Sequence, residues 1–344
     1  MAAGSELGGG VEQAPAEVVI TGGAGQIGYQ LAPLVASGQT FGEQSVNLRL
    51  LELPQAQQAA EGVAAELQDS AYPNLAGVDI YDDPTEAFDG ATHVFMVGAR
   101  PRGKGMERAD LLAANGGIFK EQGAALEEAS DDVRVLVVGN PANSNALVVA
   151  AQVPEIAENG QITAMSRLDH NRAVGMAAAK LGVSAELIDK ITIWGNHSNS
   201  MVVDTSIAEV DGEPLEDALK AAGVDLKQYA TEIKTRGGLI INLRGASSAL
   251  SAARAASDHM RDWTSNTLSP HSWTSAAVLS QGEYEGLPEG VFASMPVRGG
   301  VGQFNVVNAL SSVNRADIKA GILATGEELV AERTALQEAR FLPK

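Results

Sequence analysis

Asp169 and Arg172 stand three positions apart in Leu168-Asp169-His170-Asn171-Arg172, and a histidine follows about 25 residues on, in Trp194-Gly195-Asn196-His197. Residues i and i+3 are neighbours on a helix, so the acid and the arginine would share one face. An acid placed there can accept the ring N–H of a histidine and orient it, while an arginine's planar fork can grip a carboxylate through two parallel bonds. The chemistry on offer is proton transfer beside a bound carboxylate. A solvated Asp–Arg pair at a helix start is the plainer alternative for such a pentapeptide taken alone. The rest of the chain has to decide between them.

The elements that would position these groups begin at residues 17–21, a short apolar run halted by Gly22-Gly23-Ala24-Gly25-Gln26-Ile27-Gly28 and followed by helical pattern. Strand, glycine turn and helix start form the setting in which a pyrophosphate rests on helix N-terminal amides. A tight turn without a ligand would use the same glycines. Residues 47–51 read as a second strand ending in Glu52, which lies 24 residues past Gly28. That is near the spacing for an acid that accepts hydrogen bonds from an adenosine ribose, and its charge would repel a 2′-phosphate, which favours NAD over NADP.

A helix is expected over 57–67 and a buried strand over 91–98, where His93 alternates with apolar neighbours and reads as structural. The strand empties into a segment holding Arg100, Arg102, Lys104 and Arg108 against the single acid Glu107. Gly103 and Gly105 suit a lid that closes over an anion. Residues 110–129 look helical and carry Asn115 and Gln122; residues 133–139 form the next strand, leading into Asn140-Pro141-Ala142-Asn143. Strands alternating with helices to about residue 163 predict a parallel, doubly wound sheet, whose ligands gather beyond the carboxyl ends of the strands. The glycine turn, Glu52, the arginine-rich loop and Asn140 each follow a strand end.

In the second half, residues 173–181 are helical in pattern and 191–194 form a strand that delivers His197. Residues 237–263 include an alanine- and serine-rich segment suited to close helix packing, within the domain or against a second subunit. Residues 316–340 are helical in pattern. The expected organisation is α/β: a tail over 1–16, a Rossmann domain over 17–163, and an α+β substrate-binding catalytic domain over 164–344.

The bulk numbers agree. A chain of 344 residues that is 45% apolar and 19% charged is an ordinary globular protein with room for about two cores. A formal charge of −19 repels phosphate backbones, which excludes nucleic acid as a partner and leaves open an adaptation to salt. No apolar run approaches the roughly 18 residues of a membrane span. With no cysteine and five scattered histidines, disulfides, thiolate nucleophiles and a metal site are not expected. The first 16 residues lack the basic and apolar regions of a signal peptide, so a reducing cytoplasm is the expected location.

Five blocks, in order, carry a resemblance: residues 21–28, Pro101-Arg102 with Gly105-Met106-Glu107-Arg108, residues 138–143, residues 168–172 and residues 194–197. Together they resemble the malate dehydrogenases of the lactate/malate dehydrogenase family, in the branch of cytosolic animal enzymes and their bacterial relatives. The resemblance implies the lactate/malate dehydrogenase fold, NAD as cofactor, interconversion of malate and oxaloacetate as in the tricarboxylic acid cycle, and a homodimer. It implies that Gly22, Gly23, Ala24, Gly25, Gln26, Ile27 and Gly28 cradle the pyrophosphate, that Glu52 holds the ribose, and that Asn115, Gln122, Val138, Gly139 and Asn140 line the rest of the cofactor site. Arg102, Arg108, Arg172 and Asn140 would hold the substrate, His197 would exchange the proton and Asp169 would pair with it. The lid departs from the pattern at Gly103, and residues 264–275 match it poorly and receive no role.

The chemistry is consistent with that assignment. Oxidising a secondary alcohol beside a carboxylate needs a base for the hydroxyl proton, a hydride acceptor, and positive charge where the carbonyl oxygen develops. His197 would serve as base, Asp169 as orienter, Arg108 as polariser and Arg172 as clamp. Arg102 would take the distal carboxylate, which argues against a lactate-type enzyme. A short-chain reductase or epimerase would need a lysine four residues after a tyrosine, and none of the five tyrosines has one.

Overall fold

The computed structural model describes residues 14–100, 108–265, 267–308 and 310–343, with side chains throughout except at 108–110 and 113. Six strands come from the first half: β1 (Ala16–Thr21), β2 (Val46–Leu51), β3 (Leu75–Tyr81), β4 (His93–Met96), β5 (Arg134–Val137) and β6 (Ile162–Ala164). Between them run α1 (Gln26–Ala36), α2 (Gln57–Asp69), α3 (Pro84–Phe88), α4 (Arg108–Ala125), α5 (Ala142–Ala150) and α6 (Pro154–Glu158). The strands lie parallel in the order β6-β5-β4-β1-β2-β3. This is the doubly wound order in which strand addition switches from one side of β1 to the other between β3 and β4, and ligands of such sheets gather at the carboxyl ends beside that switch point.

Consecutive apolar residues in the inner strands reflect burial on both faces. Val19, Val94 and Met96 pack with Phe119 of α4 and Val149 of α5 on one side. Val18, Ile20 and Phe95 pack with Leu31 and Val35 of α1 on the other. His93 sits in this frame as expected of a structural residue, its Nδ1 2.9 Å from Thr92 Oγ1 and its ring 4.6 Å from that of Phe41. The edge strand β3 has no counterpart among the strands expected from the sequence. Its residues are only half-buried or exposed, so no apolar run announces it.

The second half supplies α7 (Arg167–Leu181), β7 (Ile188–Asp189), β8 (Thr192–Trp194), β9 (Val202–Asp204), β10 (Glu209–Val210) and β11 (Glu213–Pro214). These are followed by α8 (Leu215–Ala221), α9 (Leu226–Arg244), α10 (Leu250–Thr264), β12 (Thr274–Leu279), β13 (Phe292–Gly300), β14 (Gln303–Val306) and α11 (Ala316–Glu338). The sheet does not stop at β6: β12 pairs with it antiparallel, and β13 and β14 extend the set to nine strands. The strands β8 and β9 form a separate antiparallel pair.

The alanine- and serine-rich segment is α10, which packs on α1, α7 and β13. Its Ala252, Ala253, Ala255 and Ala256 are buried in the same core as Met260 and Trp263, so these small residues serve packing within the chain. Among the described residues no helix is long and apolar enough to cross a membrane.

Candidate active site

At the end of β1 the chain turns through Gly22, with φ +66°, and the Gly22 N–H bonds to Leu51 O at 2.8 Å. A side chain there would stand 2.8 Å from the Cα of Gly98, past the end of β4. At Gly28 a Cβ would lie 2.4 and 2.6 Å from the carbonyl oxygens of Gly22 and Gly23. These glycines let α1 start directly against the turn. Gly25 caps α1 with no side-chain hydrogen bond, so the amides of Gln26 and Ile27 offer their N–H groups and the positive end of the helix dipole outward.

Glu52 reaches back from the end of β2. Its Oε1 accepts from the Ala24 N–H at 2.9 Å and its Oε2 from the Leu53 N–H at 3.2 Å, so the acid also braces the glycine turn. The ends of β4 and β5 are stapled together, with the N–H groups of Val138 and Gly139 both donating to Met96 O at 2.9 and 3.0 Å. Asn115 on α4 is fully buried. Its Oδ1 accepts from the Arg100 N–H at 2.8 Å, and its Nδ2 donates to Arg100 O at 3.2 Å and Asn140 O at 2.8 Å. Asn115 thus spends its amide on tying two strand-end loops. Gln122 has a buried side-chain oxygen without a hydrogen-bond partner among the described residues. An uncapped helix start, a floor of glycines that no Cβ could share and an acid at the tip of β2 fit a dinucleotide.

Helix α7 starts at Arg167, ahead of the segment with the clearest helical pattern, so Asp169 and Arg172 both lie within it. Arg172 Nη1 meets Asp169 Oδ1 at 3.0 Å, and the other carboxylate oxygen stands 2.5 Å from His197 Nδ1. Asp169 is fully buried. Burial by itself pushes its carboxyl up, but His197 and then Arg172, through charge and hydrogen bonding, together hold it below the ordinary value. An ionised carboxylate can only accept, so Nδ1 of the neutral ring carries the proton and Nε2 is left as the acceptor. Arg172 also donates from Nη2 to Ser248 Oγ at 3.1 Å, while its buried Nε has no partner among the described residues. A buried guanidinium N–H without an acceptor costs free energy.

The turn that carries His197 is wedged against two other elements. Gly195, with φ +84°, exchanges bonds with Ser294 of β13 at 2.9 and 2.8 Å, and a Cβ on it would overlap Thr325 of α11. The Asn196 N–H donates to Thr325 Oγ1 at 2.9 Å, and the Asn196 side chain donates to Glu328 at 3.0 Å and Glu332 at 2.8 Å. Sequence reasoning missed Thr325, Glu328 and Glu332, since two carboxylates four apart on a helix are unremarkable in a string. Residues 264–275, given no role, supply one support: Ser275 Oγ accepts from the Ile193 N–H at 2.9 Å and lies 3.1 Å from His170 Nδ1.

The structure therefore brings Arg172 and His197 each into contact with Asp169, and sets residues 22–28 past the end of β1 and Val138, Gly139 and Asn140 past the end of β5, on either side of β4. Arg102 lies outside the described residues, and Arg108 opens α4 with its side chain outside the description.

Comparison with known proteins matches residues 16–161 to the family model for the lactate/malate dehydrogenase NAD-binding domain and residues 166–335 to that for the lactate/malate dehydrogenase alpha/beta C-terminal domain. A malate dehydrogenase of Corynebacterium jeikeium is 48% identical over 328 residues, covering 94% of this chain and 97% of that protein. The crystal structure of a Naegleria fowleri malate dehydrogenase superposes with a TM-score of 0.87 at 39% identity, covering 95% of this chain and 99% of that one. A Trichomonas vaginalis lactate dehydrogenase in complex with NADH and oxamate gives 0.86 at 33%, covering 94% and 98%.

Proposed function

We infer the reaction from one premise: the chain belongs to the lactate/malate dehydrogenase family. It is an NAD-dependent oxidoreductase with malate dehydrogenase activity, interconverting malate and oxaloacetate. The observation that carries the site assignment is Asp169 holding the His197 ring and the Arg172 guanidinium at once, at 2.5 and 3.0 Å.

In the direction of malate oxidation, His197 Nε2 accepts the hydroxyl proton and Asp169 stabilises the imidazolium that results. Arg172 and Asn140, both roles carried by motif, take the carboxylate next to the reacting carbon. Arg108 polarises the developing carbonyl and Arg102 pairs with the distal carboxylate, both roles carried by motif. The glycine turn at residues 22–28, Glu52, Gln122, Val138, Gly139 and Asn140 hold the dinucleotide, with Asn115 fixing the loops around it. NAD, when bound, supplies the hydride acceptor.

His197→Asn is the test: it retains NADH binding and loses turnover by about 10²-fold or more. A variant within a few-fold of the parent rate removes the histidine from the reaction. Resemblance to the family further supports a homodimer, a cytoplasmic location and a division of the chain near residue 163; sedimentation of the purified chain checks the first of these.

A further inference from the structure

We propose that Asn143 is a positioning residue for the base, fixing where His197 stands relative to the Asn140 turn. The proposal rests on His197 being the proton carrier. Asn143 lies in the first turn of α5 and is 2% exposed. Its Oδ1 accepts from the His197 N–H at 3.0 Å, while its Nδ2 donates to Gly195 O at 3.3 Å and Phe292 O at 2.9 Å. One side chain therefore grips both ends of the Gly195-Asn196-His197 turn.

The origin of each partner matters. The Gly195 and Asn196 amides are taken by Ser294 and Thr325, from the second half of the chain. The His197 amide is taken by the segment that leaves β5, only three residues past Asn140, whose own carbonyl Asn115 holds at 2.8 Å. Asp169 anchors only the ring, at Nδ1. Without the Asn143 bonds Gly195 and Asn196 stay held by Ser294 and Thr325, but the His197 backbone loses the partner that fixes its end of the turn, and a displacement of about 1 Å in a reacting group costs on the order of 100-fold in rate.

The experiment measures oxaloacetate reduction and NADH binding for Asn143→Ala and Asn143→Asp. The alanine variant is expected to lose about 10- to 100-fold in kcat, with KM within about threefold and the NADH Kd within about twofold. Unchanged kcat, or a loss of NADH affinity in step with kcat, overturns the proposal. Asn143→Asp keeps the acceptor for His197 but sets a buried carboxylate against the carbonyls of Gly195 and Phe292, so its pKa rises and protonation restores a donor. Its kcat relative to the parent enzyme climbs as the pH falls from about 8 to about 6. A ratio flat with pH overturns the proposal even if the alanine variant does not fold. His197→Asn assayed alongside separates the failures: if it turns over, the base assignment falls and this proposal with it; if it is dead while Asn143→Ala keeps full kcat, only the positioning claim falls.

Discussion

Replacing Asp169 by asparagine keeps the shape of the side chain and removes one acceptor. The carboxylate now satisfies two cationic or donor partners, the Arg172 guanidinium at 3.0 Å and the His197 ring at 2.5 Å, with no exposure to water. An amide has one oxygen and one NH2, so it must choose. With its oxygen toward His197, the NH2 faces Arg172 donor against donor, and a buried charge-assisted bond worth about 1.5–3 kcal/mol is lost. With its oxygen toward Arg172, the NH2 donates to Nδ1, and the ring proton moves to Nε2, the atom that must accept from substrate. The second arrangement leaves fewer buried groups unpaired and is the one expected. It abolishes the base without disturbing the fold, and wrong-tautomer histidines of this kind lose about 10⁴-fold in kcat. That loss corresponds to about 5.4 kcal/mol of transition-state stabilisation at about 1.36 kcal/mol per decade. Following NADH absorbance with oxaloacetate measures it, and fluorescence titration of NADH should give a Kd within about twofold of the parent. A variant retaining a tenth or more of the parent kcat would refute the tautomer argument.

Gly28→Ala places a methyl 2.4 and 2.6 Å from two backbone oxygens, so α1 must move off the turn; NADH affinity should fall about tenfold or more, since close helix–turn packing shapes the pyrophosphate site. An unchanged Kd would separate the glycine turn from the cofactor. Arg102→Gln should cut turnover of oxaloacetate far more than that of pyruvate, because a site built to pair a distal carboxylate discriminates by about 10⁴-fold; equal losses on the two substrates would count against it. Burial holds His170 and His259 down at about 3 in the folded chain, against an ordinary value near 6.5. Between these values the unfolded chain binds protons that the native one does not, so stability is full above about pH 6.5 and declines as pH falls, by about 1.4 kcal/mol per unit for each histidine. Asp169 and Asp262, both held below the ordinary carboxylate value, are ionised in folded and unfolded chains alike above about pH 5 and add nothing to that slope there. Urea unfolding between pH 6.5 and 5 tests this, and a flat profile would show that these rings are not kept neutral.

What could be read from the string was what physics ties to short stretches. A strand halted by glycines and followed by a helix start is constrained within about a dozen residues, so the turn at residues 22–28 was legible, as were the strand ends that precede Glu52 and Asn140. The pairing of Asp169 with Arg172 was legible for the same reason, through i,i+3 geometry. The edge strand β3 was not, because a half-buried strand with Gly77 in its middle carries neither a clear alternation nor a continuous apolar run. Nor were Asn143, Thr325 and the two glutamates beneath Asn196, whose partners lie 54 to 136 residues away. A hydrogen bond across that separation leaves no local mark.

The antiparallel extension of the sheet gives those distant contacts their purpose. The turn after β8, which carries His197, is bridged at Gly195 to Ser294 of β13. In turn β13 pairs with β12, β12 with β6, and β6 through β5 and β4 with β1, the strand that ends in the glycine turn. His197 and the glycine turn therefore belong to one hydrogen-bonded frame. Hydrogen-bond register allows only discrete steps, so the position of His197 relative to the glycine turn is set by strand pairing and by the short braces from Asn143 and Asp169. Such a frame can hold side chains to the tolerance that hydride and proton transfer demand.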